Sequence, residues 1–187
     1  KKQYDPILLP IFVLAIGYIL VAIFFTSVLN FNFLQSDVLG YWQDSLEWRT
    51  PFDKFHVPGY PLMVALLRGI TFNALPPITI MWTINFLAFL VSIYLIFKIV
   101  QTATKNTTVS TLASLLFGLW PLVGLTYTVD PLADIPAMCM LLIGIYFLQK
   151  SKMGLSGIFL GLAMITHKTM WIFVFFIIVL QLISHKE

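Results

Sequence analysis

The sequence predicts an all-α integral membrane protein with about six transmembrane helices and two interfacial helices. Two observations predict this class. First, 59% of the 187 residues are hydrophobic and only 10% are charged, whereas charged residues make up roughly 25% of an ordinary soluble domain. Second, the apolar residues form long unbroken runs, as in helices that cross a bilayer.

Charge and cysteine content exclude two function classes. The net charge is only +3 and the lysines are scattered, so nucleic-acid binding is excluded as the main activity. Cys139 is the single cysteine, so an intrachain disulfide or a cysteine-based metal site is excluded. We therefore expect membrane lipids, and no nucleic acid, among the partners.

Six apolar runs are interpreted as spanning helices. The first, residues 7–29, follows Lys1-Lys2 and is long enough to cross about 30 Å of hydrocarbon. The other five are residues 77–100, 109–129, 134–148, 153–166 and 169–184. One helix over 153–184 would be about 48 Å long, too long for a bilayer. We therefore expect a break at His167-Lys168.

The first external loop, residues 30–76, is predicted to hold the two interfacial helices. Residues 36–48 have helical periodicity, with Asp37 and Asp44 on one face and Tyr41 and Trp42 around the other. Aromatic side chains on the apolar side are typical of a helix at the membrane interface. Residues 61–75 are too short to span comfortably, and they are predicted to lie on the surface.

Basic residues set the predicted orientation. If residues 61–75 do not cross, most lysines lie on the cytoplasmic side and most carboxylates on the other, which agrees with the positive-inside rule. Both termini are then cytoplasmic, in a bacterial inner membrane or, in a eukaryote, the ER membrane. We expect residues 1–187 to form a single transmembrane module, and the start at Lys1 without a methionine fits either a processed product or a piece of a longer protein.

Three polar clusters fall on the non-cytoplasmic face in this topology: Asp37 with its loop, the pair Asp130 and Asp134, and the pair His167 and Lys168. A carboxylate at such a place can take a proton from an attacking hydroxyl, and a lysine can stabilise a departing phosphate. Each cluster also has a structural interpretation. The negative charge of Asp37 can interact favourably with the dipole of its helix, and Lys168 can anchor the end of a helix.

Three stretches resemble polytopic glycosyltransferases of the GT-C fold, such as protein O-mannosyltransferases and lipid A aminoarabinose transferases. One is Asp37-x-x-x-Tyr41 followed by the segment from His56 to Leu62, which reads HVPGYPL. The others are the segment from Trp120 to Asp134 and the segment from Gly161 to Thr169. Their order and spacing cover nearly the whole chain, and the resemblance identifies the conserved N-terminal module of such an enzyme.

This resemblance implies a reaction and roles for residues. The reaction is transfer of a sugar from a polyprenyl-phosphate donor to a hydroxyl acceptor, with inversion. Asp37 is implied as the catalytic base, and Asp130 and Asp134 as a second acidic site. Asp37 and Asp130 would hold a divalent Mg²⁺ or Mn²⁺ ion in members that need one. The residues implied to bind the lipid phosphate are Lys168, His167, Arg49, Lys54 and His56. Tyr41 and Tyr60 are implied to line the donor or acceptor pocket.

Two other functions stay open. One is a non-catalytic subunit derived from this fold, which would act as a scaffold with other membrane subunits. The other is a transporter or channel subunit, which ranks last because Asn85 is nearly the only strongly polar residue well inside a predicted span.

Overall fold

The computed structural model describes residues 7–27, 36–46, 57–120 and 132–184, and all regular structure in these ranges is helical. This confirms the predicted all-α class. The described helices are α1 (Leu8–Ser27), α2 (Ser36–Leu46), α3 (Gly59–Ile70), α4 (Pro77–Thr104), α5 (Thr107–Leu119), α6 (Asp134–Gln149), α7 (Met153–Thr166) and α8 (Met170–Ser184).

The predicted break between the last two helices is confirmed. Helix α7 ends at Thr166, and His167 is extended, with φ −149° and ψ 132°. Met170 begins α8 after a short turn in which its N–H donates to the carbonyl of His167. A break therefore separates α7 from α8 at the residue where it was predicted.

Helix α5 is shorter than predicted. The expected run was 109–129, whereas the helix covers Thr107–Leu119 and Trp120 has ψ 122°. Trp120 precedes Pro121, and a proline ring disfavours helical geometry in the residue before it. The sequence-based prediction missed this stop because it followed hydropathy alone. Residues 121–129 lie outside the described ranges.

Helix α3 was predicted to lie on the surface, but the structure buries part of it. Tyr60 and Val64 are completely buried and pack with Ile80 and Met81 of α4. Apolar side chains lie on more than one side of α3, so one side can pack against other helices while another side meets solvent or lipid. One side of α3 is thus part of the core.

Helix α4 is the centre of the bundle. On one side, Phe89, Ile93 and Phe97 pack with Leu14 and Tyr18 of α1. The connection to α5 is tight because Lys105 adopts the left-handed conformation, with φ 56°, and the side chain of Asn106 accepts a hydrogen bond from the N–H of Val109. That cap satisfies one of the unpaired donors at the start of α5.

Helices α6 and α7 form a close antiparallel pair. Gly144 of α6 allows the approach, since an added Cβ there would lie 2.7 Å from the side chain of Leu160. The hydroxyl of Ser156 donates to the carbonyl of Gly144 at 2.9 Å. Val174 and Met170 extend the packing to α8, so α6, α7 and α8 share one buried cluster.

By length and apolar composition, one helix in the described ranges, Ile78–Thr104 within α4, is able to cross a membrane. Most side chains of α8 are exposed, including Phe175 and Leu180 at 62% and 64%. Large apolar patches of this kind mark contact with lipid or with another protein. The six-span arrangement stays a prediction.

Candidate functional site

The start of α3 lies directly against the end of α7. Gly59 has no side chain, and a Cβ added there would lie 2.5 Å from the carbonyl oxygen of Ile165 and 2.8 Å from Cα of Thr166. Such distances are possible only for glycine. The contact brings the segment ending in Gly59-Tyr60 beside Thr166-His167, although more than a hundred residues separate them in the chain.

Two tyrosines join α2 to α3 at the same end of the bundle. The rings of Tyr41 and Tyr60 meet edge to face, with centroids 5.0 Å apart and an interplanar angle of 88°. Both are buried and share a cluster with Ala133, the residue before α6. Helix α2, the start of α3 and the start of α6 are therefore packed together.

A buried amide lies below the tyrosines. Nδ2 of Asn85 donates to the hydroxyl of Tyr60 at 2.7 Å and to the carbonyl of Met81 at 3.0 Å. Asn85 is 1% exposed, and its Oδ1 has no hydrogen-bond partner among the described residues. A buried acceptor without a hydrogen bond destabilises the folded state. The side chain of Asn85 is therefore a polar group in an apolar interior whose hydrogen bonds the described residues satisfy only in part.

The carboxylate of Asp134, at the start of α6, lies near the imidazole of His167, which follows the end of α7. Nε2 of His167 lies 3.7 Å from Oδ1 of Asp134, and Nδ1 of His167 lies 2.6 Å from the hydroxyl of Thr169. The first distance is longer than a hydrogen bond, so the pair is a loose electrostatic contact, and it is an ion pair only when the imidazole is protonated. The His167 side chain is 17% exposed and that of Asp134 42%, which leaves both accessible.

The structure brings some of the predicted site residues together. Tyr41, Tyr60, Asp134 and His167 occur at one end of the bundle, and Lys168 is exposed beside His167. The two tyrosines are core residues here, and their role in a pocket stays a prediction.

Other predicted site residues cannot be placed. Asp37 is the second residue of α2, but its side chain lies outside the described part of the structure. Arg49, Lys54, His56 and Asp130 lie outside the described residues altogether.

Metal binding also stays a prediction. The implied ligands are the carboxylates of Asp37 and Asp130, and neither is described. Within the described ranges no three histidine, cysteine, aspartate or glutamate side chains come together as a metal site would require.

An apolar groove of about 440 Å³ runs between α3, α4 and α6. Its lining includes Met63, Leu67, Ala88 and Met140, and it begins at Pro136, two residues after Asp134. From Pro136 to Ile143 it follows α6 for about 10 Å at 1.5 Å per residue. A hydrocarbon chain in this groove would end close to the polar residues at the start of α6.

The contribution of Asn85 to this region was not predicted from the sequence. It was noted only as a polar residue within a span. A lone amide in an apolar helix is a signal in itself, because polar groups inside membrane helices usually bond to a neighbouring helix. Its partner, Tyr60, could not be known from the sequence.

The bond between Asn85 and Tyr60 is expected to couple α3 to α4. Asn85→Leu and Tyr60→Phe should each lower the free energy of unfolding by about 1 kcal/mol, in the range of side-chain hydrogen bonds. The double variant should lose less than the sum, because the second change removes a bond already broken. Unfolding of the four proteins in detergent measures this coupling, and strict additivity would contradict the bond.

The geometry is thus a junction of four helices, α2, α3, α6 and α7, with a buried amide from α4 beneath it. Comparison with known proteins adds no assignment to this geometry. No family model, curated protein or solved structure matches the chain.

Proposed function

We propose that the chain is a membrane glycosyltransferase module, which transfers a sugar from a polyprenyl-phosphate donor to a hydroxyl acceptor on the non-cytoplasmic face. The observation that carries the proposal is the meeting of the resembling segments. Tyr60 contacts Tyr41, Gly59 contacts Ile165 and Thr166, and His167 faces Asp134.

The apolar groove supports a lipid-linked donor. A chain lying between α3, α4 and α6 would place its phosphate near Asp134 and His167, at the mouth beside Pro136. Lys168 is exposed next to His167, and a cation there would offset charge on the departing phosphate. Asp37, at the start of α2, would take the proton from the acceptor hydroxyl.

The proposal is tested with the purified chain, a polyprenyl-phosphate sugar and a peptide with serine and threonine hydroxyls as acceptor, with mannose and aminoarabinose as the two sugars tried. Release of polyprenyl phosphate is followed by mass spectrometry of the lipid fraction. Turnover of either donor supports the proposal. A folded chain that turns over neither contradicts it.

A second candidate is a scaffold subunit, in which another subunit rather than lipid would cover the exposed apolar face of α8. Trp171, Phe175 and Leu182 are more than half exposed, and a helix of another subunit would bury them. Binding of the donor lipid without turnover, together with stoichiometric membrane partners in a mild-detergent purification, would favour this function over catalysis.

The six-span topology, with both termini cytoplasmic, predicts opposite accessibility for two exposed positions. In Gln43→Cys the thiol would lie on α2 outside the membrane, and in Lys105→Cys it would lie between α4 and α5 on the cytoplasmic side. A membrane-impermeant maleimide should label the first in right-side-out vesicles and the second in inverted vesicles. Cys139 is buried, so background should be low. Labelling of both from the same side would exclude this topology.

A further inference from the structure

Arg68 of α3 has a cationic group with unused hydrogen-bonding capacity. Its Nη1 is buried and has no hydrogen-bond partner among the described residues. Its Cζ lies 5.8 Å from the ring centroid of Trp42 on α2, so a cation–π contact fixes the guanidinium between the two helices. The residue as a whole is half-buried, and guanidinium groups stay charged in proteins.

The guanidinium borders a pocket of about 340 Å³. Trp42 and Asn73 lie with Arg68 in its wall. The rest of the wall is formed by Leu46, Ala74, Leu75 and Pro76. Leu46 and Leu75 are exposed at 51% and 37%, so the polar wall lies next to an open apolar rim.

Asn73 is held at the pocket by the turn that follows α3. Its N–H donates to the carbonyl of Arg68 at 3.0 Å, and its φ of 60° lies in the left-handed region, which asparagine tolerates better than most residues. Asn73 also lines the pocket, and its carboxamide is a neutral donor. Among the described residues, the wall therefore presents one positive charge and a neutral amide, and it includes no carboxylate.

This arrangement suits a tetrahedral anion. A guanidinium presents a planar set of donors that matches phosphate oxygens in pairs. Trp42 also packs against the cluster that holds Tyr41 and Tyr60, but Arg68 lies farther along α3. Eight residues of helix, about 12 Å at 1.5 Å per residue, separate Tyr60 from Arg68 along α3.

We propose that the pocket of Arg68, Trp42 and Asn73 binds a phosphate group, carried either by a phospholipid headgroup or by free phosphate. Arg68 provides the positive charge in the wall, Trp42 holds the guanidinium in place, and the apolar rim accommodates the glycerol and the first carbons of a lipid. Sugar transfer is not required for this binding, so the site stands or falls independently of the glycosyltransferase proposal.

The test is calorimetric titration of the purified full chain in detergent with sodium phosphate and, separately, with dihexanoyl phosphatidic acid. Binding of phosphate and lipid alike identifies the free anion as sufficient, and binding of the lipid alone identifies a headgroup site. Arg68→Gln should weaken binding at least tenfold, and Arg68→Lys should weaken it less because the charge remains. Ala74→Trp should also weaken it, by filling the pocket while leaving the guanidinium unchanged.

Lys98→Gln is the matched control. Lys98 also lies over aromatic rings, with its Nζ 5.4 Å from the centroid of Tyr94, but it belongs to α4 and lines no part of this pocket. It should leave the affinity unchanged. Equal losses in Lys98→Gln and Arg68→Gln, unchanged affinity in Ala74→Trp, or no binding of either anion would each overturn the proposal. If Arg68→Gln does not fold, Arg68→Lys and Ala74→Trp decide it.

Discussion

Asp37→Asn is expected to reduce turnover of a polyprenyl-phosphate sugar by about 10²-fold to 10⁴-fold, the usual contribution of a general base. The amide keeps the size of the side chain but cannot accept the proton of the acceptor hydroxyl. Asp37 is in the first turn of α2. Loss of its charge there would cost about 0.3–1 kcal/mol through the helix dipole, too little to unfold the protein. The rate should therefore fall while the folded protein remains.

Asp44→Asn is the control for this prediction. It makes the same charge change on the same helix, seven residues, or about 10 Å, from Asp37. Turnover by Asp44→Asn should stay close to that of the wild type, and circular dichroism should show equal helix content in both variants. Equal loss in the two would point to a general effect of charge on α2. Undiminished turnover in Asp37→Asn would exclude it as the base.

Gly59→Ala is expected to have the largest effect on stability. The added Cβ would overlap the Ile165 carbonyl and approach Cα of Thr166. Both are backbone atoms, which no side-chain rotation can move. Helices α3 and α7 would have to separate, at a cost of about 1–3 kcal/mol or more, as for overpacked cores. The position of His167 relative to Asp134 would change as well, so turnover should fall with stability.

Gly69→Ala provides the matched comparison on the same helix. Nothing lies within 4 Å of a Cβ added at Gly69, and replacing a helical glycine by alanine stabilises by about 0.5–1 kcal/mol. Thermal unfolding in detergent should therefore shift in opposite directions for the two variants. A melting temperature for Gly59→Ala at or above that of the wild type would mean that the close contact between α3 and α7 is absent in solution.

The helices and their breaks were largely predictable, because they depend on local information. Residues 153–166 and the break at His167 follow from apolar run length and from the limited thickness of a bilayer. The early end of α5 was predictable in principle from Trp120-Pro121, since the steric effect of proline acts on the preceding residue. Hydropathy does not record that effect, and the helix was therefore predicted too long.

The helical class, the apolar character and the position of most helices could be predicted from the amino-acid sequence, since periodicity and run length are properties of neighbouring residues. The residues that meet at the polar end could be identified only from the packing of the helices. The contacts there, Gly59 with Thr166, Tyr60 with Asn85 and Asp134 with His167, each join residues that are far apart in the chain, and so does the contact of Trp42 with Arg68 farther along α3. Such pairings depend on the angles and the close approach at which helices pack, and no local pattern in the chain specifies them.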